Sequence, residues 1–248
     1  MIGNMSFEGK HILVDGAGRG IGLEVARQLT NMGAKVTLVD MNENDLHNAE
    51  SLLIAGKFTN KVFDLSQLDK IGDFVKGIVS ESGPLDGFVH CVGIRCRRPI
   101  NILTPDVLQQ VMNVNFISFM EVVRNIMKKG NFNPELSVVA ISSISAKTGG
   151  PGVSGYAASK AAIEGAIRCL SRELAPKGVR LNAIQPGQTH TPAYDETIGN
   201  GHDPVLDRQY LGLAESEDVA NAVLYLLSDA SRKISGASIP LDCGFYTS

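Results

Sequence analysis

No stretch of the 248 residues stays apolar for the ~18 positions that a bilayer-crossing helix needs. The first ten residues have neither a cationic start nor an apolar run, so no signal peptide is expected and the cytoplasm is the expected location. The chain also lacks a surplus of charge. With a net charge of −3 and a pI near 6.0 it has no field for holding nucleic acid or an anionic membrane, which favours a small-molecule partner. The four cysteines, Cys91, Cys96, Cys169 and Cys243, form no C-x-x-C pair and no His-Cys ligand spacing. No structural metal or disulfide framework is expected, and the four read as buried thiols. Absent too are H-E-x-x-H, G-x-x-x-x-G-K-[ST] and G-x-S-x-G, which removes the parts of a zinc protease, a nucleotide hydrolase or a serine hydrolase.

What is present is a globular composition, 44% hydrophobic and 20% charged, long enough to bury a large core. There is no solenoid repeat, low-complexity tract or dividing linker, so residues 1–248 read as one domain. Apolar, β-branched runs at 11–15, 35–39, 86–92, 136–141, 179–184 and 237–241 read as buried strands. Segments of helical period lie between them at 21–32, 43–55, 67–80, 105–129, 155–175 and 217–227. This alternation predicts an α/β fold with a parallel sheet covered by helices on both faces. Thr104 before Pro105 marks a helix start, and Gly33 and Gly178 sit where left-handed helix ends are wanted. Residues 186–207, rich in Pro and Gly, read as a loop, with a substrate lid expected over 188–207.

Strand one runs into Asp15-Gly-Ala-Gly-Arg-Gly-Ile-Gly22 and then a helix. Glycines gathered there let backbone approach a ligand while helix amides point outward, which suits a phosphate. The spacing is G-x-x-x-G-x-G through Gly16, Gly20 and Gly22. Asp40 ends the second strand about 20 residues on, where a carboxylate can accept from an adenosine ribose hydroxyl and repel a 2′-phosphate. NAD is therefore expected over NADP, with Arg19 the residue that keeps NADP open. Downstream, Tyr156 and Lys160 at i, i+4 share one helix face, where the ammonium is expected to lower the phenol pKa. Ser142 and Ser143 arrive at the carboxyl end of a central strand, where ligands bind in doubly wound sheets.

Taken together, these residues resemble the short-chain dehydrogenase/reductase family, whose members carry T-G-x-x-x-G-x-G, N-N-A-G, a catalytic Asn, a Ser, Y-x-x-x-K and P-G in this order. The resemblance runs from Gly9 to Gly244 and includes reductases of the 3-oxoacyl carrier-protein type. It implies a single Rossmann-type doubly wound parallel sheet of about seven strands, and hydride transfer between a nicotinamide and a secondary alcohol or ketone. It implies Tyr156 as general acid/base, Ser143 orienting substrate, Lys160 on the nicotinamide ribose, and Asn115 as the fourth catalytic residue. Asn115 lies inside an expected helix where its amide competes with the backbone, so local distortion or a bound water is expected, with Asn113 structural. Cofactor contacts are implied for Gly16, Arg19, Gly20, Ile21, Gly22, Asp40, Asp64, Leu65, Cys91, Val92, Gly93, Tyr156, Lys160, Pro186, Gly187 and Thr191. A homotetramer or homodimer built on the long helices is implied as well.

Three positions depart from the family's pattern. Asp15 stands for Thr, and its charge near a pyrophosphate is expected to weaken binding unless shielded. His90-Cys-Val-Gly93 stands for Asn-Asn-Ala-Gly and loses two bracing amides. Asp242-Cys-Gly244 replaces D-G-G. On the substrate side, Arg95, Arg97 and Arg98 suit either an anionic substrate group or a solvated loop or subunit contact, and His190 either the substrate or a structural role. A sugar or polyol dehydrogenase, or a dinucleotide-binding protein without turnover, are the alternative functions.

Overall fold

The computed structural model describes residues 5–198 and 203–247. Seven parallel strands form the main sheet: the first three run outward on one side, and the chain then crosses back over the first strand so that the other four continue from its opposite side. In chain order the elements are β1 (His11–Asp15), α1 (Gly20–Asn31), β2 (Lys35–Asp40), α2 (Glu43–Ala49), β3 (Phe58–Val62), α3 (Ile71–Ser82), β4 (Leu85–His90) and α4 (Pro105–Met112). Then follow α5 (Ser118–Ile126), β5 (Phe132–Ile141), α6 (Ser145–Thr148), α7 (Ser154–Leu174), β6 (Arg180–Pro186), β7 (Thr189–His190), α8 (Pro192–Ile198), β8 (Ala214–Glu215), α9 (Ser216–Leu227) and β9 (Ser238–Leu241). No helix among the described residues is long and apolar enough to cross a membrane.

Alternate residues of each central strand serve opposite cores. Ile12 and Val14 join Val25, Leu29, Val223 and Leu224 on the α1–α9 side. Leu13, Phe88, Val138 and Ala140 join Phe119, Ile126, Ile163 and Ile167 on the α3–α5–α7 side. Two apolar cores are why these strands read as continuous apolar runs. Thr104 caps α4 by accepting from Val107 N at 3.4 Å, and Gly33 (φ 93°) and Gly178 (φ 75°) take the left-handed ends expected of them.

The structure departs from the sequence reading in four places. β3, Phe-Thr-Asn-Lys-Val, escaped the pattern because it is the sheet's half-exposed edge and carries polar residues; β2 holds it through the Val36–Phe58 to Asp40–Val62 register. The expected helix 105–129 is instead α4 and α5 joined by a π turn over Asn113–Ile117, and Asn115 supplies the cause below. The loop expected at 186–207 contains β7, paired with β8, and α8, which Thr191 and Pro192 start as Thr104 and Pro105 start α4. Residues 199–202 of the expected lid lie outside the described residues. Finally, only Cys96 of the four thiols is buried; Cys91 and Cys243 are half-buried and Cys169 is exposed on α7, a surface position the composition argument could not separate.

Candidate active site

The carboxyl ends of β1, β4, β5 and β6 meet at one edge of the sheet, and every loop leaving that edge carries a residue singled out by sequence. At β1 the chain makes its glycine turn. A Cβ on Gly22 would lie 2.2 Å from the Gly16 carbonyl oxygen, and one on Gly16 (φ 62°) 3.0 Å from Val92 N, so the turn nests against the β4 loop only without side chains. No side chain caps the start of α1. Its first amides are left for an incoming acceptor, and this uncapped helix start behind a glycine cradle fits a dinucleotide pyrophosphate. Ile21 lies half-buried against the α1–α9 core, and a Cβ on Gly20 would touch Thr191 at 3.5 Å, so the turn and the start of α8 face each other.

The end of this cradle next to β2 is acidic. Asp40 accepts from Gly18 N at 3.0 Å and from Asn42 N at 3.1 Å, and a Cβ on Gly18 would also press on Asp45. Arg19 points the other way, its guanidinium 2.7 Å from Glu196 on α8. Asp64 accepts from Ser66 N at 2.8 Å and shapes the turn after β3, while Leu65 is buried with Val39 and Ile71 in the α3–α5–α7 core.

The departures at Asp15 and His90 compensate one another. Asp15, buried at the end of β1, accepts from the backbone amides of Cys91 (2.7 Å) and Val92 (2.9 Å) with one oxygen and meets His90 Nδ1 at 2.7 Å with the other. His90 Nε2 lies 3.2 Å from the Asn115 carbonyl. The ring thus bridges the β1 carboxylate and the Asn115 backbone. The Asp15 charge thus has the shielding on which its effect was expected to depend: the carboxylate holds the loop that the family's amides would brace, and the imidazole lies against it. Likewise Cys243, where the family has Gly, takes a left-handed φ of 52°, with Asp242 accepting from Gly244 N (3.2 Å) and Tyr246 N (2.9 Å) around it.

Asn115 explains the π turn. Its side chain accepts from Ile94 N (2.8 Å) and donates to Ile94 O (3.1 Å) and to Ser159 Oγ (2.9 Å). A helix residue that reaches sideways to a neighbouring loop and helix shifts its own backbone pairing by one residue. Asn113 instead accepts from Gln109 Nε2 at 2.6 Å on another side.

Tyr156, in the first turn of α7, is half-buried, and its phenol lies beside Ser143, whose hydroxyl favours the ionised form. Lys160 is buried, with Nζ donating to the Ile141 carbonyl at 2.8 Å and lying 5.9 Å from the Tyr156 ring centre. A Cβ on Gly93 would come 3.0 Å from that Nζ, so the β4 loop, Asn115 and Lys160 close on one another. Burial pushes the Tyr156 phenol above its ordinary value against the opposing pulls of Arg95 and Ser143. The expectation that the lysine ammonium brings the phenol down is therefore corrected: desolvation outweighs it, and Lys160 faces a carbonyl. Burial also draws the Lys160 ammonium down to about 8, with Cys91 and Asp15 opposing, and pushes the Cys91 thiol well up.

Supporting residues that carried no motif complete the arrangement. Glu164, one turn beyond Lys160, takes hydrogen bonds from Ser142 Oγ (2.6 Å) and Gln185 Nε2 (2.7 Å), tying α7 to β5 and β6. Its i+4 spacing from Lys160 was the only signal. Gln209 receives Gln188 N at 2.6 Å and donates to Gln188 O and Gly212 O; a Cβ on Gly187, next to Pro186, would strike it. Thr191 Oγ1 accepts from Tyr194 N at 3.1 Å. His190 is held between Glu215 (3.1 Å) and Asp195 (3.4 Å).

A family model described as enoyl-(acyl carrier protein) reductase matches residues 16–246. The 3-oxoacyl-[acyl-carrier-protein] reductase FabG of Thermotoga maritima is 30% identical over 97% of this chain and 99% of its own length. Gluconate 5-dehydrogenase of Gluconobacter oxydans is 29% identical over 98% and 97%. A short-chain type dehydrogenase/reductase from Mycobacterium ulcerans superposes with a TM-score of 0.89 at 29% identity, covering 98% of this chain and 91% of that one. With the glycine cradle, the Ser-Tyr-Lys cluster and the seven-stranded sheet in place, these matches make the chain a member of the short-chain dehydrogenase/reductase family, oxidoreductases that use a nicotinamide dinucleotide and act on CH–OH groups.

Proposed function

We propose that this protein is an NAD-dependent oxidoreductase interconverting a secondary alcohol and a ketone, with Tyr156 as its general acid/base. The observation that carries this reading is the gathering of the Tyr156 phenol and buried Lys160, 5.9 Å from its ring centre, beside Ser143 at the sheet edge where the glycine cradle opens. The nicotinamide, when bound, supplies or accepts the hydride. Tyr156 gives a proton to the carbonyl oxygen in reduction and takes it back in oxidation, while the Ser143 hydroxyl orients that oxygen. Lys160, its Nζ held on the Ile141 carbonyl, would reach a ribose hydroxyl of the bound nucleotide, while Arg95 and Ser143 are the groups that favour the phenolate. Asn115 holds the loop of Cys91, Val92 and Gly93 against that position. Gly16, Gly20, Ile21 and Gly22 cradle the pyrophosphate, Asp64 and Leu65 flank the adenine side, and Pro186, Gly187 and Thr191 the nicotinamide side.

Two carboxylates, Asp40 and Asp45, crowd the adenosine ribose position, and Arg19 is committed to Glu196, which supports NAD over NADP. NADH is expected to bind at least about tenfold tighter than NADPH, a difference of ~1.4 kcal/mol; equal affinities would remove the role given to Asp40. For the substrate, a 3-oxoacyl thioester is the first reading and a sugar acid or polyol the second, following the FabG and gluconate 5-dehydrogenase relatives. Absorbance at 340 nm over a panel of such ketones, compared with Tyr156→Phe, tests the activity. The variant should bind NADH normally and lose at least about 1,000-fold in kcat; nucleotide binding without turnover of any ketone by the native protein would refute the proposal.

A further inference from the structure

From the placement of Arg95 we infer that the substrate carries an anionic oxygen group, carboxylate or phosphate, which the Arg95 guanidinium binds at the mouth of the site. This rests on the active-site reading above. Arg95 follows Ile94, whose backbone N–H and C=O are both fixed by the Asn115 side chain, at 2.8 and 3.1 Å, so its origin is as rigid as the catalytic cluster itself. Three residues after Arg95, Arg98 N donates to Gly152 O at 2.6 Å, which seats the far end of the loop on the segment leading into α7. The Arg97 stem lies along Gly152, 3.6 Å from where a Cβ would stand, and so belongs to that packing.

Arg95 does not pack there. It is exposed and, among the described residues, makes no hydrogen bond or ion pair. Its charge nonetheless acts on two phenols from different elements: Tyr156, where the proton moves, and Tyr194 on α8, where the lid begins. Asp203, a carboxylate acting on the Tyr194 phenol, is itself buried and accepts from Val205 N at 3.0 Å. A guanidinium without an acid partner among the described residues, whose charge reaches both the reacting phenol and the Tyr194 phenol of α8, is a recognition group for a planar anion, which it can hold through two parallel hydrogen bonds. A neutral ketone would leave it unused.

The test compares matched probes in the full-length protein with NADH. Straight-chain oxo acids of three to six carbons are each paired with their methyl esters, and dihydroxyacetone phosphate with dihydroxyacetone. The native protein should prefer the charged member of at least one pair by about 10- to 100-fold in kcat/KM. Arg95→Leu should erase that preference, chiefly through KM, whereas Arg97→Leu should keep it. The acid pair and the phosphate pair separate the two sources of the anion. Calorimetric titration of the same acids and of the phosphate into the protein–NAD complex reads binding without turnover. A preference absent from the native protein, or one that survives in Arg95→Leu, overturns the inference while leaving the oxidoreductase reading intact. Calorimetric binding of an anion that disappears in Arg95→Leu, without turnover of any carbonyl, would support the anion site and refute the reading it rests on.

Discussion

A buried carboxylate is tolerated only when its lone pairs are filled, and Asp15 fills them with two amides and an imidazole. The pair predicts a specific pattern of coupling. Asp15→Thr leaves His90 buried without its acceptor, and His90→Asn leaves Asp15 unshielded. Each single change should cost about 3–5 kcal/mol in urea unfolding, while the double variant, which installs the family's own residues, should recover most of it. Additive losses would show the two side chains to be independent. Lys160 makes the second residue-scale prediction. Its ammonium falls from an ordinary 10.5 to about 8 because it is desolvated. Between those pH values the unfolded chain holds a proton that the folded chain has released, so stability rises with pH across the window, and below it the burial penalty is complete. Lys160→Met should then abolish turnover yet be more stable than the native protein at pH 7 by about 1–3 kcal/mol. This allows for the lost bond to the Ile141 carbonyl. The gap should narrow from pH 8 to 10.5; a variant less stable at pH 7 would sink the argument.

At the scale of elements, the β1–α1 turn and the α4–α5 π turn show opposite degrees of legibility. The turn announces itself because no side chain larger than hydrogen fits between Gly22 and the Gly16 carbonyl. Gly22→Ala should therefore lower stability by about 2–4 kcal/mol, in line with overpacking beside rigid backbone. It should also weaken NADH binding by at least about tenfold in a fluorescence titration, and an unchanged affinity would dissociate the turn from the cofactor. The π turn was half legible. Asn115 inside an apolar helical pattern signals a distortion, but which groups it seeks, Ile94 and Ser159, depends on strands and helices far away in sequence. β3 was not legible at all, since an edge strand with one polar face lacks the double apolar pattern of its neighbours.

For the whole molecule, α7 leaves a strip of small side chains at its surface: Ala158 exposed, and Ala162, Gly165 and Ala166 half-buried. Small residues let helices approach closely, and we propose this face as the meeting point of a homodimer or homotetramer. Ala162→Arg should convert the assembly to monomer in multi-angle light scattering while leaving the urea-unfolding slope per chain intact; a native protein already monomeric at ~50 μM, far above the dissociation constant of a stable dimer, would refute it. The same helix carries Tyr156 and Lys160 on its inner face and Glu164 against β5 and β6, so packing and chemistry share one element.

Local spacing by itself determined the alternation of strands and helices, the glycine cradle, Asp40 at the end of β2 and the Tyr156–Lys160 pair, because each is a rule about residues near one another on a strand, a turn or a helix face. Tertiary structure decided what those groups meet. It gave Asp15 a partner 75 residues away, sent Arg19 to Glu196, turned Lys160 toward a carbonyl, and left Arg95 exposed, with its charge acting on the phenol. Desolvation and charge pairing depend on what encloses a group in three dimensions, and a parallel sheet brings its enclosing loops together from distant parts of the chain.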